Sequence, residues 1–255
     1  MTKFHLLSDL HLEFDTDKGT DFFYNLAGHV ALDNPDALIL AGDIASTWPL
    51  LERSLNMFLS LYPKVFFVAG NHDVYGRTWS KLQTQLNDFI HDFAGPSNLT
   101  CFDNGECTWE DRNITFYGST GWVNPLGQNY LDYDLGAMKE PLQWMPEESA
   151  KFKQFLRSRE NREGEKRILL THFIPHSIGI APRWKGINNW YFHNPVDNYV
   201  MDLDLDVCCF GHTHDPCDKT YSPNSNYRET RYLCNPRGYP NEKPHLNYKP
   251  LMFEI

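Results

Sequence analysis

The sequence predicts an α/β protein in which two sheets pack as a sandwich with helices on the outside. Three observations carry that expectation. Short apolar, β-rich runs recur along the chain, and several are continuous rather than alternating, as in strands buried on both faces. Stretches with apolar spacing of three and four lie between the runs, as in helices that bury one stripe. The first half alternates strand with helix, which argues for a largely parallel sheet, whereas the strand- and loop-rich second half argues for a second, mixed one.

The strand-like runs are Phe4–Ser8, Ala37–Ala41, Lys64–Ala69, Ile114–Gly118, Arg167–Thr171, Val207–Phe210, Arg231–Cys234 and Leu251–Ile255. The helical spacing falls on Pro49–Leu61, Thr78–Phe93 and Glu147–Arg159. No composition break, Gly/Ser linker or low-complexity tract divides the chain, so residues 1–255 read as one domain. One segment stands apart. Residues 183–199, RWKGINNWYFHNPVDNY, are aromatic and amide-rich without strand or helix periodicity, and read as a long loop. The loop carries Trp190 and His193 and is either a hydrophobic flap on the sandwich or a substrate contact.

The formal charge is −10, and no run of Lys or Arg exceeds two residues. Polymer nucleic acids are bound largely through phosphate neutralisation, so this balance disfavours them. It leaves room for a small anionic substrate, because metal ions add local positive charge that net-charge counting omits. The opening MTKFHLLSDLHLEF breaks its apolar run at Asp9 and His11, too early for a signal peptide or for the ~20 apolar residues of a membrane span. The six cysteines lack zinc-type pair spacing and read as reduced thiols of a cytoplasmic protein.

Five polar clusters close strand-like runs: Ser8-Asp9-Leu10-His11, Gly42-Asp43, Gly70-Asn71-His72-Asp73, Thr171-His172 and Gly211-His212-Thr213-His214. In open α/β sheets, sites form beyond the carboxyl ends of strands, so these clusters converge in space although they run from Asp9 to His214. Asp9/His11 and His212/His214 are two residues apart, which on an extended chain places both side chains on one side, ~6.6 Å apart at Cα. The glycines before Asp43, Asn71 and His212 suit tight turns that expose the next side chain. Asp9, His11, Asp43, Asn71, His172, His212 and His214 offer imidazole, carboxylate and amide oxygen but no thiolate. That set suits divalent Mn, Fe, Zn or Ni rather than a structural zinc or a calcium cage. Seven ligands exceed the need of one tetrahedral ion and suit two ions ~3.5–4 Å apart that share a carboxylate.

These five motifs, in this order between residues 5 and 215, resemble those of the calcineurin-like metallophosphoesterase superfamily. The resemblance implies a four-layer α/β/β/α sandwich with two mixed sheets, and two divalent metal ions, with Mn favoured. It implies that Asp9, His11 and His214 ligate the first ion, that Asn71, His172 and His212 ligate the second, and that Asp43 bridges them. His72 resembles the catalytic histidine, a general acid for the leaving oxygen, with Asp73 orienting it. The implied reaction is attack on phosphorus by a hydroxide held between the ions.

Within that superfamily the residues after Asp43 are informative. They read Ile-Ala-Ser-Thr, without the Arg-Gly element by which the Ser/Thr protein phosphatase branch grips a monoester dianion. The expectation is therefore a phosphodiesterase acting on a small substrate such as a cyclic nucleotide or nucleotide-like molecule. A DNA or RNA nuclease and a phosphomonoesterase are the alternatives, and a non-catalytic metal-binding scaffold ranks last. Asn235-Pro236-Arg237-Gly238 places Arg237 in a tight turn, either as a solvated side chain or as a bidentate phosphate contact.

Overall fold

A computed structural model of the chain describes residues 1–92, 98–124, 144–159, 164–185, 192–242 and 247–255. Its elements run β1 (Lys3–Leu7), α1 (Thr20–Asp33), β2 (Ala37–Ala41), α2 (Trp48–Leu61), β3 (Val65–Val68), α3 (Asn71–Val74), α4 (Trp79–Asp92) and β4 (Leu99–Cys101). They continue with β5 (Gly105–Trp109), β6 (Ile114–Ser119), α5 (Met145–Arg157), β7 (Lys166–Thr171), α6 (Asp197–Asp202), β8 (Val207–Phe210), β9 (Cys217–Tyr221), β10 (Thr230–Cys234) and β11 (Leu251–Glu254).

Among the described residues the strands form a five-stranded sheet, β11-β1-β2-β3-β4, and a six-stranded sheet, β5-β6-β7-β8-β10-β9. β1 to β4 are parallel, and β11 joins β1 antiparallel. In the second sheet β6, β7, β8 and β10 are parallel, with antiparallel β5 and β9 at the edges.

The continuous apolar runs divide by a period of two. On β2, Leu38 and Leu40 join a core with Leu51, Leu55 and Phe58 of α2 and Leu82 and Leu86 of α4. Ile39 and Ala41 face the other way, into a core that also holds Phe116, Ile168, Leu170 and Leu233 of the second sheet. On the far side of that sheet, Leu169, Cys208 and Tyr232 pack with Phe152, Phe155 and Leu156 of α5 and Val200 of α6. Three apolar layers between four layers of structure make the α/β/β/α sandwich that the sequence predicts. Fully buried side chains such as Leu40 each stabilise it by about 1.5–3 kcal/mol.

The differences from the sequence expectation have physical reasons. Helix α1 was not expected, because it buries only Phe23 and Leu26 and leaves Tyr24 and Leu32 more than 80% exposed, so its apolar stripe is blurred. Strands β4, β5 and β9, also unexpected, are all sheet edges, where partly exposed residues replace the doubly buried pattern. In the segment 183–199, residues 182–184 form a 3-10 turn and Asp197–Tyr199 open α6, so its two ends are regular. Trp190 and residues 186–191 lie outside the described residues, as does Phe93. No helix among the described residues is long and apolar enough to cross a membrane.

Candidate metal centre

The polar clusters all follow parallel strands at their carboxyl ends. β1 leads to Asp9 and His11, β2 to Asp43, β3 to Asn71, β7 to His172, and β8 to His212 and His214. The two sheets therefore deliver all seven predicted ligands to one end of the sandwich.

The local backbone is not the extended chain expected from the spacing of two. Asp9, His11, Asp43, His212 and His214 all adopt left-handed conformations, with φ of 51°, 48°, 56°, 68° and 49°. Asp and His enter this region more readily than most residues, yet each such residue still costs of order 1–3 kcal/mol. Specific bonds hold them there. Asp9 N–H donates to Gly42 O at 3.0 Å, His11 N–H to Asp43 O at 3.1 Å, and His212 N–H to Asp9 Oδ1 at 2.8 Å. His72 N–H donates to Asp43 Oδ1 at 2.7 Å.

The glycines act by close approach as much as by turning. A Cβ on Gly42, at φ +83°, would lie 2.5 Å from His172 Nδ1, and one on Gly70 would lie 2.2 Å from Asp43 Oδ1. Gly70 itself is extended, so its requirement is space alone.

The ligand atoms form three overlapping groups, Asp9/His11/His214, His11/Asp43/His72 and Asp43/His172/His212, each with its atoms within 4.8 Å of one another. Asp43 stands between the sets, with Oδ2 3.4 Å from His172 Nε2 and 3.9 Å from His11 Nε2. Asn71 Oδ1 lies 3.0 Å and His212 Nδ1 3.2 Å from His172 Nε2.

Second partners aim the imidazoles. His172 Nδ1 meets Ala41 O at 2.9 Å and His214 Nδ1 meets Glu242 Oε2 at 2.7 Å, leaving Nε2 of each turned inward, as metal-binding histidines require. The Nε2 atoms of His11 and His214 face each other at 3.0 Å, and buried Asp9 Oδ2 has no hydrogen-bond partner. Converging imidazole lone pairs beside an unpartnered carboxylate oxygen fit a cation, so the residues present suit the metal ions that the sequence implies.

Charge is concentrated here. Burial works against ionisation of Asp43, but His172, His72 and His11 hold its pKa well below the usual carboxylate range. Burial likewise opposes the charge on His172, yet Asp43 and Asp9 raise it to about 9. His11 is lowered, chiefly by burial. His72 is raised despite burial, through Asp43, Glu13 and Asp73.

The expected catalytic pair is arranged differently from the prediction. His72 Nδ1 lies 3.3 Å from Glu13 Oε1 and its Nε2 3.0 Å from Tyr239 Oη. Asp73 does not orient that ring by contact. Its carboxylate accepts four backbone N–H groups, from Asp43, Ile44, Ala45 and Gly70, at 2.8–3.0 Å. Arg237 is buried, and its Nη1 donates to Leu10 O and Asp15 Oδ2 rather than standing free for a phosphate. His193 Nε2 meets Asp197 Oδ2 at 3.0 Å, which ties it to the start of α6.

Sequence reasoning missed four side chains at the centre: Glu13, Tyr75, Tyr239 and Glu242. Glu13 carried a signal, since it continues the spacing of two from Asp9 and His11. Tyr75 is adjacent to the Asn71 motif, and its ring lies 4.3 Å from that of His72. Tyr239 and Glu242 follow the turn in which Arg237 drew attention, and they had no spacing to mark them. Phe192 and Phe173 pack against His212 at 5.3 and 4.3 Å.

The family model described as calcineurin-like phosphoesterase matches residues 2–216. Among curated proteins no sequence matches. Among solved structures, a phosphopantetheinyl hydrolase from Mycobacterium tuberculosis is similar, with TM-score 0.68 and 15% identity over 97% of this chain and 93% of that one. A dimetal phosphatase from Danio rerio gives TM-score 0.57 and 14% identity over 96% and 90% of the two chains. A putative 5'-nucleotidase from Staphylococcus aureus gives 0.53 and 14% over 93% of this chain and 49% of that one. At these identities the likeness is one of fold.

Proposed function

The chain belongs to the calcineurin-like phosphoesterase family, and on that premise we propose that it is a hydrolase of small phosphodiesters that uses two divalent metal ions, with Mn²⁺ as the working pair. The observation that carries the reading is the place of Asp43, whose one carboxylate lies between the His11 side and the His172 side of the ligand cluster. In this reading Asp9, His11 and His214 would hold one ion, Asn71, His172 and His212 would hold the other, and both would share Asp43. The ions, when bound, acidify water and neutralise charge on the phosphoryl oxygens. The protein's own part is to hold the imidazoles by Ala41 O and Glu242, and to place His72, whose pKa Asp43 and Glu13 raise against burial, as the acid for the leaving oxygen.

The diester preference rests on the neighbourhood of Asp43. Its following segment is bound to Asp73 and Glu13 through backbone N–H groups and presents no arginine. Arg237 pairs with Asp15, while Arg77 donates to Ser46 O through Nη2 and keeps its Nη1 buried without a partner among the described residues. A diester monoanion needs less positive grip than a monoester dianion. Aromatic side chains on both flanks, Tyr75 and Tyr239 beside His72 and Phe192 beside His212, suit a base or similar flat group. The six unpaired thiols agree with a cytoplasmic setting.

The test is a rate comparison with Mn²⁺-loaded protein. Bis(p-nitrophenyl) phosphate should turn over faster than p-nitrophenyl phosphate, and cyclic nucleotides or dinucleotides faster than oligonucleotides. A clear monoester preference overturns the diester reading, and efficient oligonucleotide cleavage replaces the small substrate with a nucleic acid.

A further inference from the structure

The family match ends at residue 216, yet the turn after β10 reaches into the metal centre. It is built onto the first ligand loop. Ser8 N–H donates to Asn235 O at 3.1 Å, Arg237 N–H to Ser8 O at 3.0 Å, and Gly238 N–H to Asp9 O at 2.9 Å. The Arg237 guanidinium fastens the same turn to Leu10 O and Asp15. Glu242 closes it, since its Oε2 accepts Tyr239 N–H at 2.8 Å and meets His214 Nδ1 at 2.7 Å. Gly238 sits at φ +74°, a left-handed conformation that residues with a side chain rarely adopt.

What this turn delivers is one phenol. The ring of Tyr239 lies 4.6 Å from that of His11 and 4.6 Å from that of His214, and its hydroxyl lies 3.0 Å from His72 Nε2. The side chain is only part-buried, so it borders the ligand cluster while keeping some exposure to solvent. A phenol hydroxyl donates a hydrogen bond without adding charge, which suits a site whose cations already match an anionic substrate.

We propose that Tyr239 is a substrate-contacting residue whose hydroxyl donates a hydrogen bond to an oxygen of the bound phosphoester on the His72 side of the site. The proposal rests on the phosphoesterase reading above. It also assigns Arg237 and Glu242 as positioning residues for the turn. No proton changes hands at Tyr239; the O–H dipole meets negative charge as it builds on the oxygen.

Tyr239→Phe tests it, because the ring packing stays and only the hydroxyl is lost. In Mn²⁺-loaded protein the variant should keep the wild-type metal content and unfolding temperature. Its affinity for inorganic phosphate, measured by calorimetry, and its kcat on bis(p-nitrophenyl) phosphate should each fall about 10- to 100-fold, the range for a lost hydrogen bond to a charged group. The same fall should appear when Tyr239→Phe is made in a His72→Ala background. Wild-type binding and kcat in Tyr239→Phe overturn the proposal. So does a loss that disappears in the His72→Ala background, which would make Tyr239 a prop for His72, or a loss that tracks metal content. Phosphate binding without hydrolysis by the wild type would defeat the enzyme reading, and the phosphate arm would still decide the role of Tyr239.

Discussion

The carboxylate of Asp73 lies 2.9 Å from the backbone nitrogen of Asp43 and so joins the third sequence motif to the second. Asp73 is fully buried, and its two oxygens accept from four N–H groups of the turns after β2 and β3. It acts as a hydrogen-bonding clamp on the left-handed turn that aims Asp43.

Asp73→Ala leaves those N–H groups buried without an acceptor. It should destabilise the metal-free protein by at least about 2 kcal/mol and lower metal content as the Asp43 turn relaxes. Asp73→Asn keeps one acceptor oxygen and should lose less. Urea unfolding of the two variants measures the difference. A change under about 0.5 kcal/mol for Asp73→Ala, the size of a surface substitution, would mean that the turn holds without the clamp.

The second expectation separates Asp43 from Asp9. Asp43 stands between both halves of the cluster, whereas Asp9 Oδ1 approaches His214, at 3.7 Å. Asp43→Asn should therefore lose both ions, and Asp9→Asn should keep the one held by Asn71, His172 and His212. Mass-spectrometric metal content of the folded variants decides it. Retention of both ions by Asp43→Asn would refute the bridge.

Much of this centre was legible because strand ends in an α/β sheet converge, and residue type then restricts the chemistry. Asp9, His11, Asp43, Asn71, His172, His212 and His214 needed only that rule. What was not legible is how each side chain is aimed. The spacing of two in Asp9/His11 suggested an extended chain, but strain at a left-handed turn has no period that a sequence displays. The family resemblance assigns Asp73 to orient His72, whereas adjacent residues on a helical turn point apart. Arg237 was noticed for its charge, while Tyr239, two residues on, reaches the centre. Edge strands and α1 escaped for a related reason: they bury too little to imprint a pattern.

Proton–metal exchange gives a pH dependence with opposite signs in the two forms. His172, raised to about 9 from an ordinary 6.5 chiefly by Asp43 against the effect of burial, binds a proton more tightly in the folded metal-free protein than in the unfolded chain. The stability this contributes is complete below pH 6.5 and is lost as pH rises toward 9. His72, also raised, adds in the same direction. A cation on His172 must displace that proton, so metal affinity should rise over the same window. The gap in unfolding temperature between metal-loaded and chelator-treated protein should widen from pH 6.5 to pH 9. A constant gap would mean that His172 does not exchange a proton for metal.

The last expectation isolates His72. Its ring is held from both sides, by Glu13 at Nδ1 and Tyr239 at Nε2, and Asp43 and Glu13 raise its pKa against burial. A general acid helps only to the extent that the leaving oxygen needs a proton. A ribose alkoxide is a poor leaving group and depends on that proton, whereas a nitrophenolate is stable without it. His72→Ala should therefore slow a ribose diester by roughly 10²–10⁴-fold, the usual range of general acid–base catalysis. The loss on bis(p-nitrophenyl) phosphate should be much smaller, and metal content should not change. Equal losses on the two substrates would assign His72 to charge stabilisation at phosphorus or to holding Asn71 in place. No loss on either would leave Glu13 and Tyr239 holding a side chain that takes no part in the reaction.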